Sequence, residues 1–149
     1  MAGWPGRAYR LDSRFQAAAK PVIDMLAPVG SLADAQLAVP VLAGADWLLW
    51  LDDPGRHYRL WFLRPSPEAR THHLQVIEDG HPHAVALLAF RDALRADAAL
   101  RGEHASLKEC LADQHPDNRN AYTNAKADFV QQALRRTGME PPSRDMLPG

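Results

Sequence analysis

The run RLWFLRPSPEARTHHLQVIE, Arg59 to Glu78, decides the fold class. Tyr58 to Arg64 is dense in aromatic and aliphatic residues, as an extended half-buried chain requires. PSPEA then supplies two prolines and a serine for a turn, and THHLQVIE alternates again until Asp79 and Gly80 end it. Upstream, Trp47 to Leu51 has the same character and is joined to Tyr58 by DDPGR, whose Asp, Pro and Gly supply turn geometry. The middle of the chain therefore reads as a meander of three short strands.

Working outward toward the amino terminus, Lys20 to Leu26 (KPVIDML) places Val22, Asp24 and Leu26 on one side of a strand and Ile23 and Met25 on the other. Ser31 stands as a cap before a short amphipathic helix ending near Pro40 and Leu42. Residues 1–16 carry no clear apolar period. Toward the carboxyl terminus no proline occurs between Pro82 and Pro116, and the period lengthens to that of helices. Leu87, Leu88, Phe90 and Leu94 mark the first helix. Leu100, His104, Leu107 and Leu111, capped by Asp97, mark the second; Tyr122, Phe129, Val130 and Leu134, ending at Gly138, mark the third. Strands followed by helices predict an α+β fold, a small mixed or antiparallel sheet packed by helices with a helical carboxyl-terminal half. One domain is expected over residues 17–138, with 1–16 as a separate segment and 139–149 as a frayed tail.

Composition excludes several classes. At 149 residues a single domain buries about 70% of its unfolded surface, enough for a core without staples. Seventeen Lys and Arg against 18 Asp and Glu leave a formal charge of -1, so the footprint of a nucleic-acid binder is missing. The lone Cys110 allows neither an internal disulfide nor a Cys-rich zinc site, which suits a reducing compartment, and a cytoplasmic location is expected. No apolar run approaches the ~20 residues of a membrane span, and Met1 is followed by no signal-peptide core. No membrane partner is expected.

Two cations are out of place. Arg91 lies three or four positions from Leu87, Leu88 and Leu94, and Lys126 stands likewise to Tyr122, Phe129 and Val130. Each must find a carboxylate, an edge from which to snorkel, or a bound anion. His72 and His73 are consecutive on a strand and project to opposite faces, so they cannot chelate one ion together. His72 goes with Leu74 and Val76 as an interior histidine; His73 goes with Gln75 on the polar side. His81 and His83, flanking Pro82 in a turn, are expected in solvent, Cys110 is expected buried beside Leu107 and Leu111, and the Trp and Phe residues of the hairpin are expected in the core.

Four segments in order, AAAKPVID (Ala17 to Asp24), Arg59 to Glu78, FRDALRADAALRGEHASLK (Phe90 to Lys108) and AYTNAKADFV (Ala121 to Val130), resemble the GrpB family. That resemblance covers about Ala17 to Gly138 and implies a nucleotidyltransferase-like fold. It places family positions on Lys20, Pro21 and Asp24; on Trp61, Phe62 and Arg64, where lysine is more usual; on Thr71, His72, His73 and Leu74; on Arg91 and Asp92; and on Tyr122 and Lys126. Both cations flagged by periodicity are among them.

What the resemblance implies is a cleft acting on an anionic small molecule such as a nucleotide or phosphorylated metabolite. Lys20, Arg64, Arg91, Tyr122 and Lys126 would bind it, with Asp24 as base or magnesium ligand and His73 as acid or base. The departures pull the other way. The family's Gly-Ser-Thr turn should precede Ala17, where RLDSRFQ stands; Leu26 follows Asp24 in place of a second acid; Gln75 stands where another histidine is common. A non-catalytic binding module with a degenerate site and a metal-independent acid–base enzyme are therefore the alternatives.

Overall fold

The computed structural model describes residues 8–10, 23–114 and 119–143, with backbone alone for 10, 119, 120, 122 and 123. In chain order these form β1 (Tyr9–Arg10), β2 (Ile23–Val29), α1 (Leu32–Ala35), a 3-10 turn (Gln36–Ala38), α2 (Val39–Ala43), β3 (Leu48–Leu49), β4 (Arg59–Arg64), β5 (His72–Glu78), α3 (Pro82–Ala96), α4 (Ala98–Gln114) and α5 (Arg119–Arg136). The α+β expectation holds, and the sheet is mixed. The described residues fall into two compact units, one of residues 8–10 and 23–84 with the sheet, α1 and α2, the other of residues 85–114 and 119–143 with most of α3 and with α4 and α5. Among the described residues no helix is long and apolar enough to cross a membrane.

The sheet runs β1-β2-β5-β4-β3. The meander β3-β4-β5 is antiparallel, whereas β2 lies parallel to β5 with Ile23 opposite His72 and Asp24 opposite His73. Pro28 is tolerated in β2 because the described β1 pairing reaches only Met25 and Leu26, so its missing N–H faces no ladder there. Tyr9 and Arg10, within the segment that shows no apolar period, supply that edge strand.

Alternation and register assign each sheet residue a face. Ala27, Leu60, Phe62, Leu74 and Val76 share one face and form a core with Ala35, against which Leu32, Val39, Leu42, Trp47 and Leu49 pack. The single helix expected over Ser31 to Leu42 is instead broken into α1, the 3-10 turn and α2. Ser31 caps the first, its Oγ accepting from the Asp34 amide at 3.3 Å, and Pro40 opens the last. Phe62 is fully enclosed, worth about 2–3 kcal/mol by burial alone. Trp50 and Trp61 are half-buried and belong to neither core, which corrects the expectation that the hairpin tryptophans are all core.

The helical unit has its own core of Ala86, Phe90, Leu94, Leu100, Ala127, Val130, Ala133 and Leu134. Asp97 caps α4 as its position predicts, its Oδ1 accepting from the Ala99 and Leu100 amides at 2.9 and 3.1 Å. Gly138 (φ 85°) ends α5 in the left-handed conformation that glycine adopts without strain. Cys110 is exposed, not buried: the inward stripe of α4 is the narrow one through Leu100, His104 and Leu111, and Cys110 lies about 100° around the helix from Leu111.

Candidate functional site

The second sheet face carries the polar chemistry. Register puts Asp24 and Leu26 of β2, His73, Gln75 and Ile77 of β5, and Arg59, Trp61 and Leu63 of β4 together on it. Asp24 and His73 meet directly, with Nδ1 3.0 Å from Oδ1. An ionised carboxylate only accepts, so in a neutral His73 the proton facing Asp24 sits on Nδ1 and the lone pair is on Nε2. That Nε2 is enclosed and has no hydrogen-bond partner among the described residues. The imidazole edge rests on Trp61, ring centroids 5.5 Å apart.

Beyond Trp61 lies a network that sequence reading missed. Arg59 forms a two-pronged contact with Asp53, Nε to Oδ2 and Nη2 to Oδ1, both 2.7 Å, and Nη1 donates to Gln75 Oε1 at 3.0 Å. Gln75 Oε1 also accepts from His83 Nε2 at 3.1 Å. The Arg59 guanidinium sits 4.4 Å over the Trp61 ring. Burial would raise the Asp53 carboxyl, but hydrogen bonds from Arg59 and the Gly55 amide, and the charges of Arg59 and His83, outweigh it and hold its pKa below 3.8. His83 is wholly buried, correcting the expectation that it is a solvated turn residue: it lies at the start of α3, and Gln75, Arg59 and the Tyr58 ring enclose it. His81 is half-buried and stacked on Tyr58 at 5.1 Å. Nor is Gln75 on a solvated side, since Leu74, Gln75, Val76 and Ile77 are all buried on this central strand. The signal for the network was Arg59 itself, a cation alternating with Trp61 and Leu63 on a strand, together with the Asx-turn pattern of Asp53 and Gly55.

Of the predicted anion-binding residues described in the sheet unit, Arg64 does not join Asp24 and His73. Arg64 lies on the opposite sheet face, its guanidinium 5.7 Å over Trp47, which also meets the His72 edge at 6.0 Å. His72 projects to that face as expected, its Nδ1 2.7 Å from Thr71 Oγ1. In the helical unit, Arg91 has only 12% of its side chain exposed and binds Asp92 Oδ1 through Nε and Nη2 at 2.9 and 2.8 Å. It is thus a half-buried cation with a carboxylate beside it. Lys126 is half-buried on α5, and its charge acts on His104. Lys20 and the Tyr122 side chain lie outside the described residues.

Magnesium fits this donor set poorly. Among the described residues no three His, Cys, Asp or Glu side chains converge, and Asp24 already accepts from His73. No step is assigned to a metal.

A mixed-sheet α+β protein with a histidine–aspartate pair near the start of its two parallel strands is the class these features define. The GrpB protein family matches residues 13–136, and the chain belongs to that family. It is 37% identical over 116 residues to UPF0157 protein YqkA of Bacillus subtilis (strain 168), a match covering 78% of this chain and 33% of YqkA. The chain thus spans about a third of that relative's length. It is 33% identical over 119 residues to the glutamate-rich protein GrpB of Alkalihalophilus pseudofirmus, covering 78% of this chain and 68% of that protein. Its structure is similar to the crystal structure of conserved protein GrpB from Enterococcus faecalis, with a TM-score of 0.72, 26% identity, and coverage of 89% of this chain and 82% of that one.

Proposed function

We propose that this GrpB-family chain binds an anionic small molecule and that His73, oriented by Asp24, moves a proton on it without a resident metal. The 3.0 Å contact between His73 Nδ1 and Asp24 Oδ1 carries the reading. A carboxylate there holds the ring and, in the neutral imidazole, keeps the proton on Nδ1, which is the arrangement general acid–base catalysis by histidine requires. A non-catalytic binding module is the second reading, favoured by the enclosure of Nε2, because a catalytic nitrogen must reach its substrate.

Thermal shifts with phosphorylated and carboxylated metabolites, followed by NMR detection of turnover for each stabilising compound, separate the two. Under the acid–base reading a stabilising compound is converted, and Asp24→Asn retains binding while turnover drops about a hundredfold or more. Stabilisation without product leaves the binding module standing. No shift with any compound removes both.

A further inference from the structure

We infer that the loop joining β3 to β4 builds a binding site for a ligand that joins a planar aromatic ring to an acidic group. A cavity of about 420 Å³ opens there, lined by Trp50, Leu51, Arg56, His57, Arg59 and Trp61 among others. That volume lies in the range of small-molecule sites. The inference goes beyond the proton-transfer role of His73, because it concerns binding alone and stands whether or not that histidine acts.

The wall is held in place. Trp50 donates to the Trp61 carbonyl at 2.8 Å, Arg56 to that of Asp53 at 3.2 Å, and Tyr58 and Arg59 to that of Gly55 at 3.0 and 3.1 Å. Buried Asp53 ties the loop to β4 through its fork with Arg59, and its Oδ1 also accepts from the Gly55 amide at 3.0 Å. A loop anchored this way has already lost the conformational freedom that binding would otherwise remove.

Its chemistry is complementary to an aromatic acid. Trp50 and Trp61 present ring surface, each with a guanidinium nearby, Arg70 at 5.5 Å and Arg59 at 4.4 Å. Asp53 compensates Arg59 internally. Arg56 differs: it is exposed, reaches only the Leu51 carbonyl at 3.4 Å, and pairs with no carboxylate among the described residues. Its remaining N–H donors and exposed His57 suit a phosphate or carboxylate, while an indole suits the ring.

Calorimetric titration of the full chain tests this with adenosine 5′-monophosphate, phenyl phosphate and benzoate, alongside adenosine and inorganic phosphate. The ring-bearing acids should bind saturably, and adenosine or phosphate alone about tenfold more weakly. Arg56→Ala, at an exposed position that the fold does not depend on, should weaken binding about tenfold, and Trp50→Ala similarly. Preference for phenyl phosphate over benzoate, or the reverse, names the acidic group. Unchanged affinity in both variants would place the ligand elsewhere and overturn the site. So would an absence of saturable binding by all three acids up to about 10 mM.

Discussion

Replacing His104 by leucine should flatten the acid side of the protein's stability curve. His104 lies on α4 with 8% of its surface exposed, stacked on Phe129 at 5.6 Å and meeting the Phe90 edge-on at 5.4 Å. Its Nε2 is buried without a hydrogen-bond partner among the described residues. Desolvation first, then the charges of Lys108 and Lys126, push its pKa from 6.5 down to about 4. Since the folded value lies below the unfolded one, the unfolded chain binds more protons between them. Stability is therefore lost as pH falls below about 6.5 and the loss is complete near 4. The full interval corresponds to about 3 kcal/mol, of which about 2 kcal/mol has gone by pH 5. Urea unfolding at pH 7 and pH 5, followed by helical circular dichroism, measures it. The native chain should lose about 2 kcal/mol more than His104→Leu between those conditions, every other titrating group being common to both. Equal losses would refute the assignment of a neutral buried imidazole.

Asp53→Asn should destabilise by about 3 kcal/mol in urea melts at pH 7, because the mostly buried Arg59 guanidinium loses its countercharge. The folded pKa of Asp53 is depressed, so in the native chain that contribution is present above 3.8 and lost as pH falls below it; the variant should lack this acid limb. Gly55→Ala should cost more than about 1 kcal/mol by thermal melting, since a Cβ there would stand 2.7 Å from Arg59 Nε and 3.0 Å from Tyr58 Cζ, and the fork fixes that nitrogen. Asp97→Ala removes the acceptor for two α4 amides and should cost about 1 kcal/mol, with faster hydrogen exchange at Ala99 and Leu100.

Local periodicity carried most of the fold. The turn residues after Arg64 and Glu78, the Asp97 cap and the Gly138 stop are signals that the backbone obeys wherever tertiary contacts do not oppose them. What periodicity could not deliver was partnership across the chain. That β2 lies beside β5, in parallel and 49 residues from Asp24 to His73, follows from sheet order and not from any local pattern. Burial on both faces of β5 follows from the same fact: a central strand hides Gln75 as fully as Leu74, so alternation gives no polar side there. The broken helix after Ser31 and the exposed Cys110 show the limit from the other direction, since a stripe of apolar residues states a preference whose width only packing decides.

The site was half legible for a related reason. Asp24 and His73 occupy facing positions on neighbouring strands, and reading each as a strand residue on a defined face was enough to make their meeting possible. The cations were harder, because a charge is informative only relative to what lies beside it. Arg91 turns inward and finds Asp92. Arg59, unremarked on its strand, is fixed by Asp53, which looks like an ordinary turn residue until β4 folds over it. Arg59 is thus compensated by a buried carboxylate and Arg91 has an exposed one beside it, and under the inference drawn above the anion falls to the cation left beside the cavity with no carboxylate at hand. Among the described residues lining the cavity that cation is Arg56, from the DDPGR turn, so the segment that reads as simple chain reversal is where ligand binding should be sought first.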